Sequence, residues 1–196
     1  MRSLSSHPAQ ESRGNQPGEF FMNTIRLLAV TGACACALSC LPTFAADPPA
    51  KADQEFVNKA AGGGVYEVAV SKMAAAKAKN PDVKAYADML VKDHTAANDE
   101  LKGLASMKGM VLPPDMPADK KARMDKLSRS SDIDRDFIKE VGLDDHRTDI
   151  ALFEKASKNA KDAEVKAWFG KTLPTLKEHR AAAEKLSRGG SMAMKH

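Results

Sequence analysis

The chain has 196 residues, of which 43% are hydrophobic but only 5% aromatic, and this length suits one domain with additional segments. Acidic and basic residues alternate along the predicted helices, which indicates solvated surfaces and not a nucleic-acid-binding face, so the formal net charge of +4 decides nothing about function. Ten methionines and many alanines favour closely packed helices, and we therefore expect an all-α protein.

The N-terminal part of the sequence is typical of a targeting segment. Residues 1–21 show no periodicity, and we interpret them as a non-native upstream extension; the alternative is a genuine hydrophilic extension. Residues 22–45 start with a short segment that carries the charge of Arg26 and continue into the apolar stretch Leu27–Leu41. This order is that of a Sec signal peptide, so the sequence predicts export to the periplasm.

Small residues at the end of this segment predict the cleavage site. Cleavage is expected after Ala45, with Ala46 as the alternative, and all three cysteines (Cys34, Cys36 and Cys40) would be removed. The mature protein would then have neither a disulfide nor a thiolate metal site. Lipid anchoring to the outer membrane through Cys40 is less favoured, because the preceding leucine stands one position too close to it. No later apolar stretch is long enough for a transmembrane span.

Four amphipathic stretches after a linker at residues 46–52 are predicted to be helices. They extend over residues 53–79, 81–107, 131–158 and 162–186. We expect Asp53 to cap the first helix and Asn80, followed by Pro81, to start the second. Glycines 62–64 favour a close crossing with a neighbouring helix.

The connection between the second and third helices, over residues 110–131, is long enough to return the chain along the whole bundle. The prediction is therefore a four-helix bundle at residues 53–187 with a long crossover connection between helices two and three. Residues 188–196 are expected to be a flexible tail, in which Met192, Met194 and His196 are either without a role or suited to Cu(I).

Each predicted helix places one protonatable side chain in its apolar face. These residues are Glu67, His94, His146 and His179. The first three lie at matching depths from the helix ends, and His179 lies about one turn away. Imidazole and carboxylate groups at one level of a bundle suit a transition metal such as Zn, Cu or Fe, with Asp93 and Asp145 as carboxylates that orient the ligands. The alternative is a network of buried hydrogen bonds without metal.

The sequence offers little support for an enzyme. It has no phosphate-binding glycine loop, nucleophile elbow or His-Glu-x-x-His motif, and we assign no catalytic residue. The Glu-x-x-His pairs of di-iron bundles are also absent, because Val91, Leu143 and Leu176 occupy the positions three before the histidines.

Several segments together resemble the bacterial family catalogued as domain of unknown function 4142. They are Asp53–Phe56, Glu67, Met89–His94, Asp145–His146 and Thr172–His179. The resemblance implies an exported ferritin-like four-helix bundle of the periplasm or outer membrane, and no particular activity. Two departures are the glycines at 62–64 and Gly142, and at Gly142 we expect looser packing around His146.

Two functional hypotheses follow. The first is a periplasmic, metal-binding or stress-associated bundle, in which Glu67, His94, His146 and His179 bind a metal or share protons with a small ligand. The second is a non-catalytic envelope protein that binds a partner through its surface and keeps the core histidines for structure.

Overall fold

The computed structural model describes residues 48–193, with side chains to residue 189, and this part of the chain is all-helical. Its elements are α1 (Lys51–Lys77), α2 (Pro81–Met107), α3 (Ala118–Leu127), α4 (Ile133–Phe137), a π-helical segment (Ile138–Asp145), α5 (His146–Asn159) and α6 (Ala163–Ala193). The predicted extension, signal peptide, cleavage site and cysteines lie outside the described residues. No helix within residues 48–193 is both long and apolar enough to cross a bilayer.

Short turns join α1 to α2 and α5 to α6. Helix α2 begins as the sequence predicts, because Pro81 is its first residue and the Asn80 side chain accepts a hydrogen bond of 2.8 Å from the backbone N–H of Asp82. Helices α1 and α2 pack against each other along their lengths, as do α5 and α6. Helix α2 also contacts α6, and α1 contacts α5, so α1 and α6 occupy diagonal positions.

The connection from α2 to α4 covers α1 from one end to the other. At its beginning, the Gln54 side chain donates to the Val111 carbonyl at 2.7 Å. At its end, the Lys77 ammonium donates to the Ser128 carbonyl at 2.6 Å. The chain therefore returns to the end of the molecule where α2 started, and α2 runs parallel to the stretch from α4 to α5.

Asp53 does not cap the first helix, which begins two residues earlier at Lys51. Its side chain is only 1% exposed and accepts hydrogen bonds from the backbone N–H groups of Lys161 at 2.9 Å and Asp162 at 2.7 Å. The carboxylate therefore stabilises the turn between α5 and α6. Asp53 thus accepts hydrogen bonds from backbone N–H groups, as a capping residue does, but these groups belong to the turn before α6 and not to α1.

The third predicted helix is interrupted by the π-helical segment, which the sequence did not predict. Gly142 lies within it, and a Cβ atom there would be 2.6 Å from the Ala183 Cβ and 3.2 Å from the Tyr86 hydroxyl. The packing beside His146 is therefore close, and the expectation of looser packing was wrong. The absent side chain lets this segment approach both α2 and α6.

Two of the glycines at 62–64 lie at close contacts of α1, as predicted. A Cβ atom at Gly62 would be 2.9 Å from Pro117 Cγ in the connection, and one at Gly64 would collide with the Asn98 side chain of α2. At the other end of the chain, α6 continues to Ala193, so the predicted flexible tail is helical over residues 188–193.

A layer of histidines divides the core into two apolar clusters. The cluster near the start of α1 includes Phe56, Leu101, Phe153 and Leu176, and the cluster near its end includes Val70, Leu90, Val141 and Ala183. Each core histidine stands in sequence between members of the two clusters: His94 between Leu90 and Leu101, His146 between Val141 and Phe153, and His179 between Leu176 and Ala183.

Candidate metal centre

Three buried histidines from three helices meet between the two clusters. His94, on α2, is 7% exposed; His146, at the start of α5, is 0% exposed; and His179, on α6, is 2% exposed. One ring nitrogen from each lies within 4.8 Å of the other two, and the ring centroids are 5.3–5.6 Å apart. These three side chains thus lie at one level of the core, as their distances from the predicted helix ends indicated.

The π-helical segment determines the tautomer of His146. Its Nδ1–H donates to the carbonyl oxygen of Val141 at 2.9 Å, and the same carbonyl also accepts the backbone N–H of His146, as the wider turn allows. A carbonyl can only accept, so the proton of the neutral ring is on Nδ1 and Nε2 carries a lone pair. Burial in the core lowers the pKa of His146 from 6.5 to about 4, so the ring is neutral near pH 7.

His179 is oriented by a carboxylate. Its Nε2–H donates to Asp93 Oδ2 at 3.0 Å, and this aspartate is 31% exposed. The other nitrogen, Nδ1, is 3.3 Å from Nε2 of His146. Asp93 therefore takes the orienting role that the sequence predicted for it.

With the outer nitrogens of both rings protonated, the contact between His146 and His179 needs a positive charge between the two inner nitrogens. If both rings are neutral, their two lone pairs face each other at 3.3 Å, which is repulsive. Either a proton on His179 Nδ1 or a metal ion bound by both nitrogens removes that repulsion. In a tetrahedral site with metal–nitrogen bonds of about 2.0–2.1 Å, neighbouring nitrogens are about 3.4 Å apart. The observed spacing fits both arrangements.

His94 completes the group as a neutral ring. Burial, followed by the neighbouring His146 and His179, lowers its pKa well below 6.5. Its Nε2 is buried and has no hydrogen-bond partner among the described residues. A buried imidazole nitrogen without a partner costs free energy in the metal-free protein, so it favours binding of a ligand at this position.

Glu67 lies outside the three-histidine group, although the sequence placed it in the same site. It is 1% exposed, and both of its carboxylate oxygens lack a partner among the described residues. Burial, followed by the charge of Asp149, raises its pKa well above the usual value. Counting residues from a helix end predicts the level of a side chain in the bundle, but not which neighbouring helix it faces. Helix α1 lies diagonally opposite α6, which carries His179.

Asp145 does not orient His146, contrary to the prediction. Its Oδ1 accepts from Arg123 at 2.6 Å and from Lys120 at 3.3 Å, both in α3. Lys120 also lies 4.6 Å from the centre of the Tyr66 ring. These partners were not predicted, because α3 was expected to be only a part of the connection.

A small internal cavity borders the histidine group. It has a volume of about 20 Å³ and is lined by residues that include Glu67, His94 and Asp149. A space of this size holds about one water molecule. Asp149 was not singled out in the sequence, and burial raises its pKa from 3.8 to about 6.

Comparison with known proteins agrees with the family resemblance. The model of a family described as a domain of unknown function (DUF4142) matches residues 39–186. The comparison with curated proteins gives no match. Among solved structures, the crystal structure of a DUF305 fragment from Deinococcus radiodurans is similar, with 16% identity and a TM-score of 0.61 over 72% of this chain and 99% of that chain. At this identity the similarity shows a shared helical fold alone.

Proposed function

We propose that this chain, which belongs to the DUF4142 family, binds one transition-metal ion through His94, His146 and His179. The observation that supports the proposal is the facing pair of imidazole nitrogens at 3.3 Å, with the outer nitrogens of both rings held by Val141 and Asp93. Metal-binding histidines commonly donate their other N–H to a carbonyl or carboxylate in this way.

The donor set narrows the choice of metal. Three imidazole nitrogens suit Zn, Cu or Fe, and the group that they form contains no thiolate or thioether. A metal with three imidazole ligands keeps a fourth position open for water or a small ligand. Because both apolar clusters surround the layer, the protein would exclude bulk water from such a site.

We place the metal-binding domain in the periplasm as a ferritin-like four-helix bundle with an envelope or stress-related role. Residues 22–45 support export, because they have the charged start, apolar stretch and small residues of a signal peptide. The parallel arrangement of α2 with the stretch from α4 to α5 supports a bundle with a crossover connection.

A second candidate is a non-catalytic envelope protein whose core histidines are structural. In that case a proton between the two rings takes the place of the metal, and an N–H···N hydrogen bond joins Nδ1 of His179 to Nε2 of His146. The spacing of 3.3 Å is also compatible with an N–H···N hydrogen bond, which is the specific observation in favour of this candidate.

Elemental analysis of protein purified without a histidine tag separates the two candidates. We expect close to one metal ion per chain after loading and dialysis, and loss of that metal in His94→Ala and His146→Ala. Met107→Ala serves as a control, because Met107 is 76% exposed. Circular dichroism establishes that the variants remain folded. A folded wild-type protein that retains no metal would contradict the proposal, as would folded histidine variants that retain all of it.

A further inference from the structure

The internal cavity beside the histidines contains several buried polar groups without partners. Both oxygens of Glu67, the Nε2 of His94 and the indole Nε1 of Trp168 are buried without a hydrogen-bond partner among the described residues, and all three residues line this cavity. Native proteins rarely leave such groups unpaired. With a volume of about 20 Å³, the cavity has room for the water molecule that would pair some of them.

A much larger groove lies outside this cavity. It has a volume of about 830 Å³ and is formed by α1, the connection after α2 and the first turns of α5. Gly63 and Asp149 line both the groove and the internal cavity. The groove and the internal cavity therefore adjoin at Gly63, where α1 has no side chain.

Glycine at position 63 leaves space between the groove and the internal cavity that a side chain would occupy. A Cβ atom there would have one neighbour within 4 Å, the Oδ1 of Asp149 at 3.9 Å. The other two glycines of the run face closer neighbours, Pro117 and Asn98, and serve packing. Gly63 is thus the glycine of the three that packing does not explain.

We propose that cations reach the three-histidine site from the groove by passing Gly63 and the neighbouring side chain of Asp149. The inference rests on the proposed function. A cation on this path leaves the groove at Gly63, enters the small cavity that Glu67 and Asp149 line, and meets His94, which lines the same cavity.

Stopped-flow measurement of Co²⁺ binding tests the path. Gly63→Leu should slow both association and dissociation at least about tenfold while the dissociation constant stays unchanged, because the bulky side chain narrows the entrance without touching the ligands. Gly103→Leu is the matched control, since a Cβ atom at this glycine of α2 meets nothing within 4 Å.

The outcomes separate this inference from the proposed function. Rates of Co²⁺ binding and release in Gly63→Leu that equal those of the wild type would overturn the path while leaving metal binding intact. If the wild type binds no Co²⁺, the proposed function fails. The path is then tested on metal-free protein by ¹⁵N NMR, which measures how fast the imidazole N–H protons of His146 and His179 exchange with solvent. Slower exchange in Gly63→Leu than in Gly103→Leu supports the path, and equal exchange overturns it.

Discussion

The buried His146 makes the stability of the metal-free protein sensitive to acid. The pKa of this ring is lowered by burial from 6.5 to about 4, so the folded protein keeps it neutral where the unfolded chain protonates it. Its contribution to stability is therefore complete above about pH 6.5, is lost as the pH falls and reaches its limit below pH 4. Replacing His146 with Asn removes a group that titrates in this range.

The size of the effect follows from the two pKa values. Between pH 7.5 and pH 5, linkage predicts a loss of about 2 kcal/mol in the free energy of unfolding from this one ring. Glu67 and Asp149 act in the opposite direction, because burial raises their pKa values and acid removes their unfavourable charges. Both carboxyl groups are present in the wild type and in His146→Asn, so the difference between the two proteins isolates the histidine.

Urea unfolding in the presence of a chelator measures this difference. At pH 7.5 the wild type should be more stable than His146→Asn, and its advantage should shrink by about 2 kcal/mol when the pH is lowered to 5. The chelator keeps metal from holding the ring neutral. An advantage that stays constant to within about 0.5 kcal/mol across this range would refute the reasoning, because it would mean that folding does not change the pKa of His146.

Three further substitutions probe the site and its supports. Asp93→Asn should weaken Zn²⁺ binding about 10- to 100-fold in competition with a chromophoric chelator, because the ring that it orients loses its carboxylate, whereas the exposed Asp88→Asn should bind like the wild type. Gly142→Ala should lower the free energy of unfolding in urea by about 1–3 kcal/mol through overpacking. In contrast, Gly103→Ala should raise it by up to about 1 kcal/mol, and equal effects of the two would contradict close packing at Gly142. Asp53→Ala should cost about 1–3 kcal/mol, since the backbone N–H groups of Lys161 and Asp162 lose a buried acceptor. A negligible loss in thermal unfolding would show that water replaces the carboxylate.

The local rules of helix formation account for what the sequence predicted well. Apolar residues at helical spacing gave the positions of the long helices, and Asn80 with Pro81 gave the start of α2 to the residue. The depth of the histidines could be counted from these ends, because each residue advances a helix by a constant rise. Family resemblance then agreed with the helical class.

The neighbours that a helical side chain faces, and the interruption of a regular helix, were harder to predict than the level of a side chain along its helix. Glu67 and the histidines lie at similar heights, but only the packing partners of each helix determine which side chains meet. The π-helical segment depends on the contacts of Gly142 with α2 and α6, which no local pattern reveals. The roles of Asp53 and Asp145 were missed for a related reason, since their partners are far away in sequence.

The π-helical segment has a consequence for the evolution of this protein. A π turn holds one more residue than an α turn, so removing a single residue between Ile138 and Asp145 would return the segment to a regular helix. One residue corresponds to a rotation of about 100° around an α-helix, so either His146 or the preceding apolar residues would turn away from the interior. Insertions and deletions are usually tolerated in loops, but here a change of one residue inside a helix would move His146 or its apolar neighbours out of the core.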